Sequence, residues 1–130
     1  MTETVTIKRP DAPQHYMVLR PINGRIVVRL PNGDRIAESS RAVRLLECGR
    51  TLYDPVTYLP LEDVHVPLEA ETGTTHCPLK GDASYFSLSA DGEKQEKIAW
   101  SYMSPLEFSM PIKGLVAFYA NRVIVEEHPA

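Results

Sequence analysis

Eleven prolines and seven glycines are scattered along 130 residues instead of clustered, and this spacing limits the chain more than any other feature. Proline inside a helix removes a backbone donor and clashes with the preceding turn, so such punctuation favours short strands and turns. A chain of this length can bury one core but not two comfortable ones. The expected fold class is mainly β: a single compact domain of about eight short antiparallel strands, a sandwich or partly open barrel, with at most a short helix. Residues 1–14 are polar and proline-punctuated and read as an N-terminal arm, loose or laid across the surface. Residues 15–127 form the domain.

Several strands are visible as period-2 alternation. In "GRIVVRLPNGDRIAES", Arg25, Val27 and Arg29 alternate with Ile26, Val28 and Leu30, and Asn32-Gly33 supplies a hairpin turn. A three-residue loop with Gly33 or Asp34 at positive φ is expected, setting Leu30 opposite Ile36. "RAVRLLECG" leans to a strand, and the three prolines of "TLYDPVTYLPLEDVHVPLEAE" cut it into extended pieces. "ASYFSLSA" and "KIAWSYM" flank Asp91-Gly92 as a second hairpin. "SPLEFSMPIKG" suits one helical turn with Ser104 as cap and Pro105 in the first helical position. "LVAFYANRVIVEE" ends the chain as two apolar strands around Asn121-Arg122.

The charge balance bears on partners. The formal net charge of −3 argues against a nucleic-acid binder. Residues 1–50 hold nine Lys/Arg against five Asp/Glu, and residues 51–130 hold five against twelve. In one interleaved sheet the two halves would face each other and balance internally. No apolar run is long enough for a bilayer and the first residues lack the apolar core of a signal peptide, so a cytoplasmic protein with no membrane partner is expected. Two cysteines are too few for a disulfide framework. The four histidines are scattered and no C-x-x-C pair occurs, so a structural zinc site would need distant ligands to converge; neither metal nor cofactor is expected.

"TTHCPLKGDASYF" concentrates the candidate chemistry. Cys77 reads as a nucleophile if His76 or Lys80 lowers its pKa, and as inert packing otherwise. His76 directly precedes Cys77, so a strand would point them apart and only a turn could join them. Lys80 reads as an anion contact with Asp82 orienting it, or Gly81 and Asp82 simply build the turn into the next strand. Arg41 and Glu47 flank an apolar stretch; Glu47 could pair with a lysine or arginine inside a barrel mouth, or both are simply solvated, as such residues usually are. Trp100 and Tyr85 belong to the core or line a pocket.

"LYDPVTYLPLEDV", "TTHCPLKGDASYFSL", "AWSYMSP" and "IKGLVAFYANRVIV" together resemble the family known as domain of unknown function 427. Its signature is similar to the run through Cys77, Pro78, Lys80, Gly81, Ala83 and Tyr85. Further elements map to Tyr58, Pro60, Asp63 and Val64, and to Ala99, Trp100 and Tyr102. The resemblance spans about residues 15–127 and implies a compact, mostly β single domain with no established activity. A nucleotidyltransferase-like label is sometimes attached to the family, but the Gly-Ser and paired-Asp metal site of that chemistry has no match here.

The residues lead to a small polar or anionic ligand bound near residues 74–86. The ligand contacts are drawn from Lys80, Arg41, His76, Asp82, Glu47, Tyr85 and Trp100. The alternative is an enzyme with Cys77 as nucleophile, or with His76, Lys80 and Asp82 transferring a proton.

Overall fold

The computed structural model describes residues 2–130. Among them are eleven strands: β1 (Val5–Arg9), β2 (Ala12–Pro21), β3 (Gly24–Arg29), β4 (Arg35–Ser39), β5 (Val43–Cys48), β6 (Val56–Pro60), β7 (Glu69–Cys77), β8 (Gly81–Ala90), β9 (Glu93–Ser101), β10 (Leu115–Phe118) and β11 (Ile124–Pro129). The two helical pieces are 3-10 turns, Leu61–Asp63 and Glu107–Ile112. Eight strands form one antiparallel sheet in the order β1-β2-β5-β6-β10-β9-β8-β7, and β11-β3-β4 form a second. The fold is mainly β, with two sheets and no closed barrel. No helix is long and apolar enough to cross a membrane among the described residues.

The larger sheet buries both faces, so its central strands are apolar on both sides. On one face Leu59, Ile98, Val116 and Phe118 pack with Ile26, Val28, Leu30 and Ile36 of the small sheet. On the other, Ile7, Met17, Leu19, Val43, Leu45, Tyr58 and Ala117 gather around Leu79 and Ile112. Each such aliphatic side chain contributes about 1.5–3 kcal/mol by leaving water. Glu107–Ile112 is the lid on this second core: Ile112 is buried, and Ser109 Oγ donates to the Leu79 carbonyl at 2.6 Å.

Local chemistry explains the joints. Ala90 pairs with Glu93, leaving Asp91 and Gly92 as a two-residue loop with φ of 52° and 76°, as a twisted hairpin demands. In the first hairpin, Leu30 N–H donates to the Asp34 carbonyl at 2.9 Å across a three-residue loop, and Gly33 has φ +96°. The expected Leu30–Ile36 pairing is not formed. Val28 pairs with Ala37 and Arg29 with Arg35, so Ile36 is the extra residue of a bulge and both it and Leu30 reach the core.

Three further features qualify the expectations. Within the arm expected to be loose or laid across the surface, residues 5–9 form edge strand β1, paired with β2, and Ile7 is buried. Ser104 caps nothing: the 3-10 turn begins after Leu106, without a side-chain cap. The last two strands do not pair with each other, because the chain crosses at Asn121-Arg122 from the large sheet to the small one. The uneven charge is partly balanced by pairs between the halves, Arg29 with Glu126 at 3.2 Å and Arg44 with Glu127 at 2.5 Å.

Candidate functional site

The site arises where the large sheet curls. In sheet order β2 and β7 are six steps apart, about 29 Å on a flat sheet at ~4.8 Å per step. Yet donor atoms of His15 on β2, Glu47 on β5 and Cys77 at the end of β7 all lie within 4.8 Å of one another. The sheet therefore bends until its ends approach, and the second core fills the inside of the curl.

The turn after β7 supplies the cation. Cys77 pairs with Gly81, so Pro78, Leu79 and Lys80 form a three-residue loop whose last two members are buried. Leu106 N–H donates to the Lys80 carbonyl at 3.0 Å, tying the loop to the segment that precedes the lid. Gly81 is required here. Its φ is +108°, and a Cβ would meet Leu106 N at 3.1 Å. With its backbone held, Lys80 directs Nζ to Glu47 Oε1 and lies 5.7 Å from the centre of the Tyr102 ring.

Glu47 joins two donors. Lys80 takes Oε1, and His15 Nε2 donates to Oε2 at 2.8 Å. The side chains of Lys80, Glu47 and His15 are only 9%, 13% and 15% exposed. Arg9, which can only donate, faces His15 Nδ1 at 3.4 Å, so Nδ1 accepts and Nε2 carries the proton. Burial works to raise the Glu47 pKa. Hydrogen bonds from Lys80 and His15, with the charge of Lys80, outweigh it and hold the carboxyl below its ordinary range.

Above this cluster opens a cleft of about 560 Å³, lined by Arg9, His15, Arg50, Tyr53, His76 and Cys77 with small neighbours. Two arginines stand at it, Arg9 paired with Asp11 at 3.0 Å and Arg50, and Glu47, the carboxylate beneath it, is already engaged.

The sequence-expected residues fall into separate places. Cys77, Lys80 and Glu47 come together. His76 and Cys77 are successive strand residues and point apart: His76 bonds Asp82 across the hairpin at 2.8 Å, both largely exposed, and reaches only the cleft rim. Arg41 is held by Glu62 at 2.8 Å and Asp63 at 3.1 Å, which raise its pKa. Tyr85 hydroxyl meets Thr75 Oγ1 at 2.7 Å. Trp100 donates to the Tyr58 hydroxyl at 2.9 Å and packs against Tyr119 with ring centres 4.6 Å apart and planes tilted by 49°, beside a second pocket of about 280 Å³ near Arg44 and Glu127. Burial pushes the Tyr58 hydroxyl pKa strongly up, so it stays protonated as the acceptor for Trp100.

Sequence reasoning missed His15, Arg9 and Arg50. His15 lies 32 residues from Glu47, and the β3–β4 excursion into the other sheet separates their strands along the chain. The one available signal was the alternation of β5, which puts Glu47 on the same face as buried Val43 and Leu45. A carboxylate on an apolar face calls for a partner.

Fold and site define a small two-sheet β domain whose larger sheet is clasped end to end by a buried acid–base cluster. The chain belongs to the family described as domain of unknown function (DUF427), whose profile matches residues 18–128. Glu47, Cys77 and Lys80 lie within the match and His15 just before it. Comparison with curated proteins gives no match.

Proposed function

We propose that the chain binds a small anionic ligand in the cleft above Glu47. The observation that carries this reading is the cleft lining, where Arg50 stands beside Arg9, itself paired with Asp11, while Glu47 below is neutralised by Lys80. Lys80 then acts from beneath, as the charge that keeps Glu47 from repelling an anion, and not as a direct contact. Arg50 at the rim is the contact with the most freedom to close on a carboxylate or phosphate in two-pronged fashion. The Cys77-nucleophile reading is weaker, because the His15 ring nitrogens already serve Glu47 and Arg9 and neither is left to take a thiol proton.

Calorimetric titration with inorganic phosphate and with short dicarboxylates at low ionic strength tests the reading. Binding that weakens about tenfold in Arg50→Ala, and falls further with added salt, is expected. Equal affinity in variant and wild type would remove the reading.

A further inference from the structure

His15, Glu47 and Cys77 offer a nitrogen, an oxygen and a sulfur, and they come from strands that are distant in sequence. We propose that these three side chains form a three-ligand site for a zinc-type divalent ion, with its fourth position open to the cleft. The reading shares the cleft and its lining residue His15 with the anion proposal, whose main contact, Arg50, is not among the ligands.

Geometry is the first support. The donor atoms all lie within 4.8 Å of one another, and His15 Nε2 is 2.8 Å from Glu47 Oε2. Zinc bonds of about 2.0–2.3 Å in a tetrahedral arrangement separate ligand atoms by roughly 3.3–3.7 Å. The trio therefore reaches coordination distance by shifts of about an ångström, within side-chain freedom. Each residue has a backbone anchor in a sheet: His15 in β2, Glu47 in β5 and Cys77 in β7.

Surroundings are the second. Lys80 binds Glu47 Oε1 and leaves Oε2, the oxygen facing His15, for the ion. That is an outer partner fixing a ligand carboxylate. Capture moves the histidine proton from Nε2 to Nδ1, and Arg9 keeps its other partner, Asp11, at 3.0 Å. Cys77 binds as thiolate and gives its proton to solvent. The charges of thiolate and carboxylate cancel those of the ion, so with Lys80 the cluster carries one net positive charge. A mixed nitrogen, oxygen and thiolate set suits zinc and its cobalt substitute over magnesium or calcium, which prefer oxygen alone. The scattered histidines hid this site from motif reasoning, because convergence comes from the curl and not from spacing.

Cobalt(II) added to the chelator-treated full chain is the probe. Tetrahedral ligand-field bands with a thiolate-to-cobalt charge-transfer band are expected, saturating at one ion per chain and accompanied by proton release. Cys77→Ser should abolish the charge-transfer band, Cys48→Ser should keep it, and His15→Gln should weaken binding at least tenfold. Absence of the bands in wild type, or a charge-transfer band that survives Cys77→Ser, overturns the proposal. Each proposal can fall without the other. Arg50-dependent phosphate binding in chelator-treated protein without cobalt bands sinks the metal site alone. Cobalt bands without Arg50-dependent anion binding uphold the metal site and sink the anion reading alone.

Discussion

Burial would drive the Glu47 carboxyl toward its neutral form, and the donors Lys80 and His15 reverse that balance. The lowered pKa has a sign that can be tested. A carboxyl depressed from its ordinary 4.5 adds stability above that pH and loses it as pH falls through the depressed value. Glu47→Gln strands Lys80 without its counter-charge, which costs about 3 kcal/mol near neutrality. Measured by urea unfolding, the gap between variant and wild type should narrow steadily below pH 4.5. A gap independent of pH would mean that the pair does not carry the energy. Taking the difference from wild type matters, because Asp63 and Glu126 are also held below their ordinary range and would blur an absolute curve.

Among elements, the turn between β7 and β8 differs from the β3–β4 turn in what surrounds its glycine. Gly33 and Gly81 both have positive φ, but a Cβ on Gly33 would meet nothing, whereas one on Gly81 would press on Leu106 backbone. Gly33→Ala is expected to lose about 1 kcal/mol through backbone strain alone. Gly81→Ala should lose more and should also release Lys80 from Glu47. Chemical denaturation of both variants checks this, and equal losses would show that the contact with Leu106 is unimportant. How far such elements were legible depended on exposure. The β8–β9 hairpin was readable because its strands alternate and Asp91-Gly92 tolerates positive φ at both positions. β7 was not, since Glu69–Cys77 is exposed almost throughout and has no apolar stripe. The Leu30 register failed because a bulge leaves Ile36 without a cross-strand partner and buries the consecutive residues Ile36 and Ala37, which simple alternation forbids. In the site, Lys80 and Cys77 were legible as neighbours in sequence, while His15 was hidden by non-local strand order.

At the scale of the molecule, one sheet serves two cores. The outer core lies against the small sheet and contains Ile36; the inner core lies in the curl and contains Ile112. Ile36→Val and Ile112→Val should each cost about 0.5–1.5 kcal/mol. Because their packing partners differ, the double variant should equal the sum to within about 0.5 kcal/mol. A larger coupling, measured by a double-mutant cycle, would show that strain passes through the sheet from one core to the other. The curl also has a consequence in time. Residues 15, 47, 77 and 80 meet only once β2, β5 and β7 have found their places in an eight-strand order, and pairings so distant along a chain form slowly. The cluster is expected among the last contacts to assemble, and the rate at which the Cys77 thiol loses access to an alkylating reagent during refolding would time its completion.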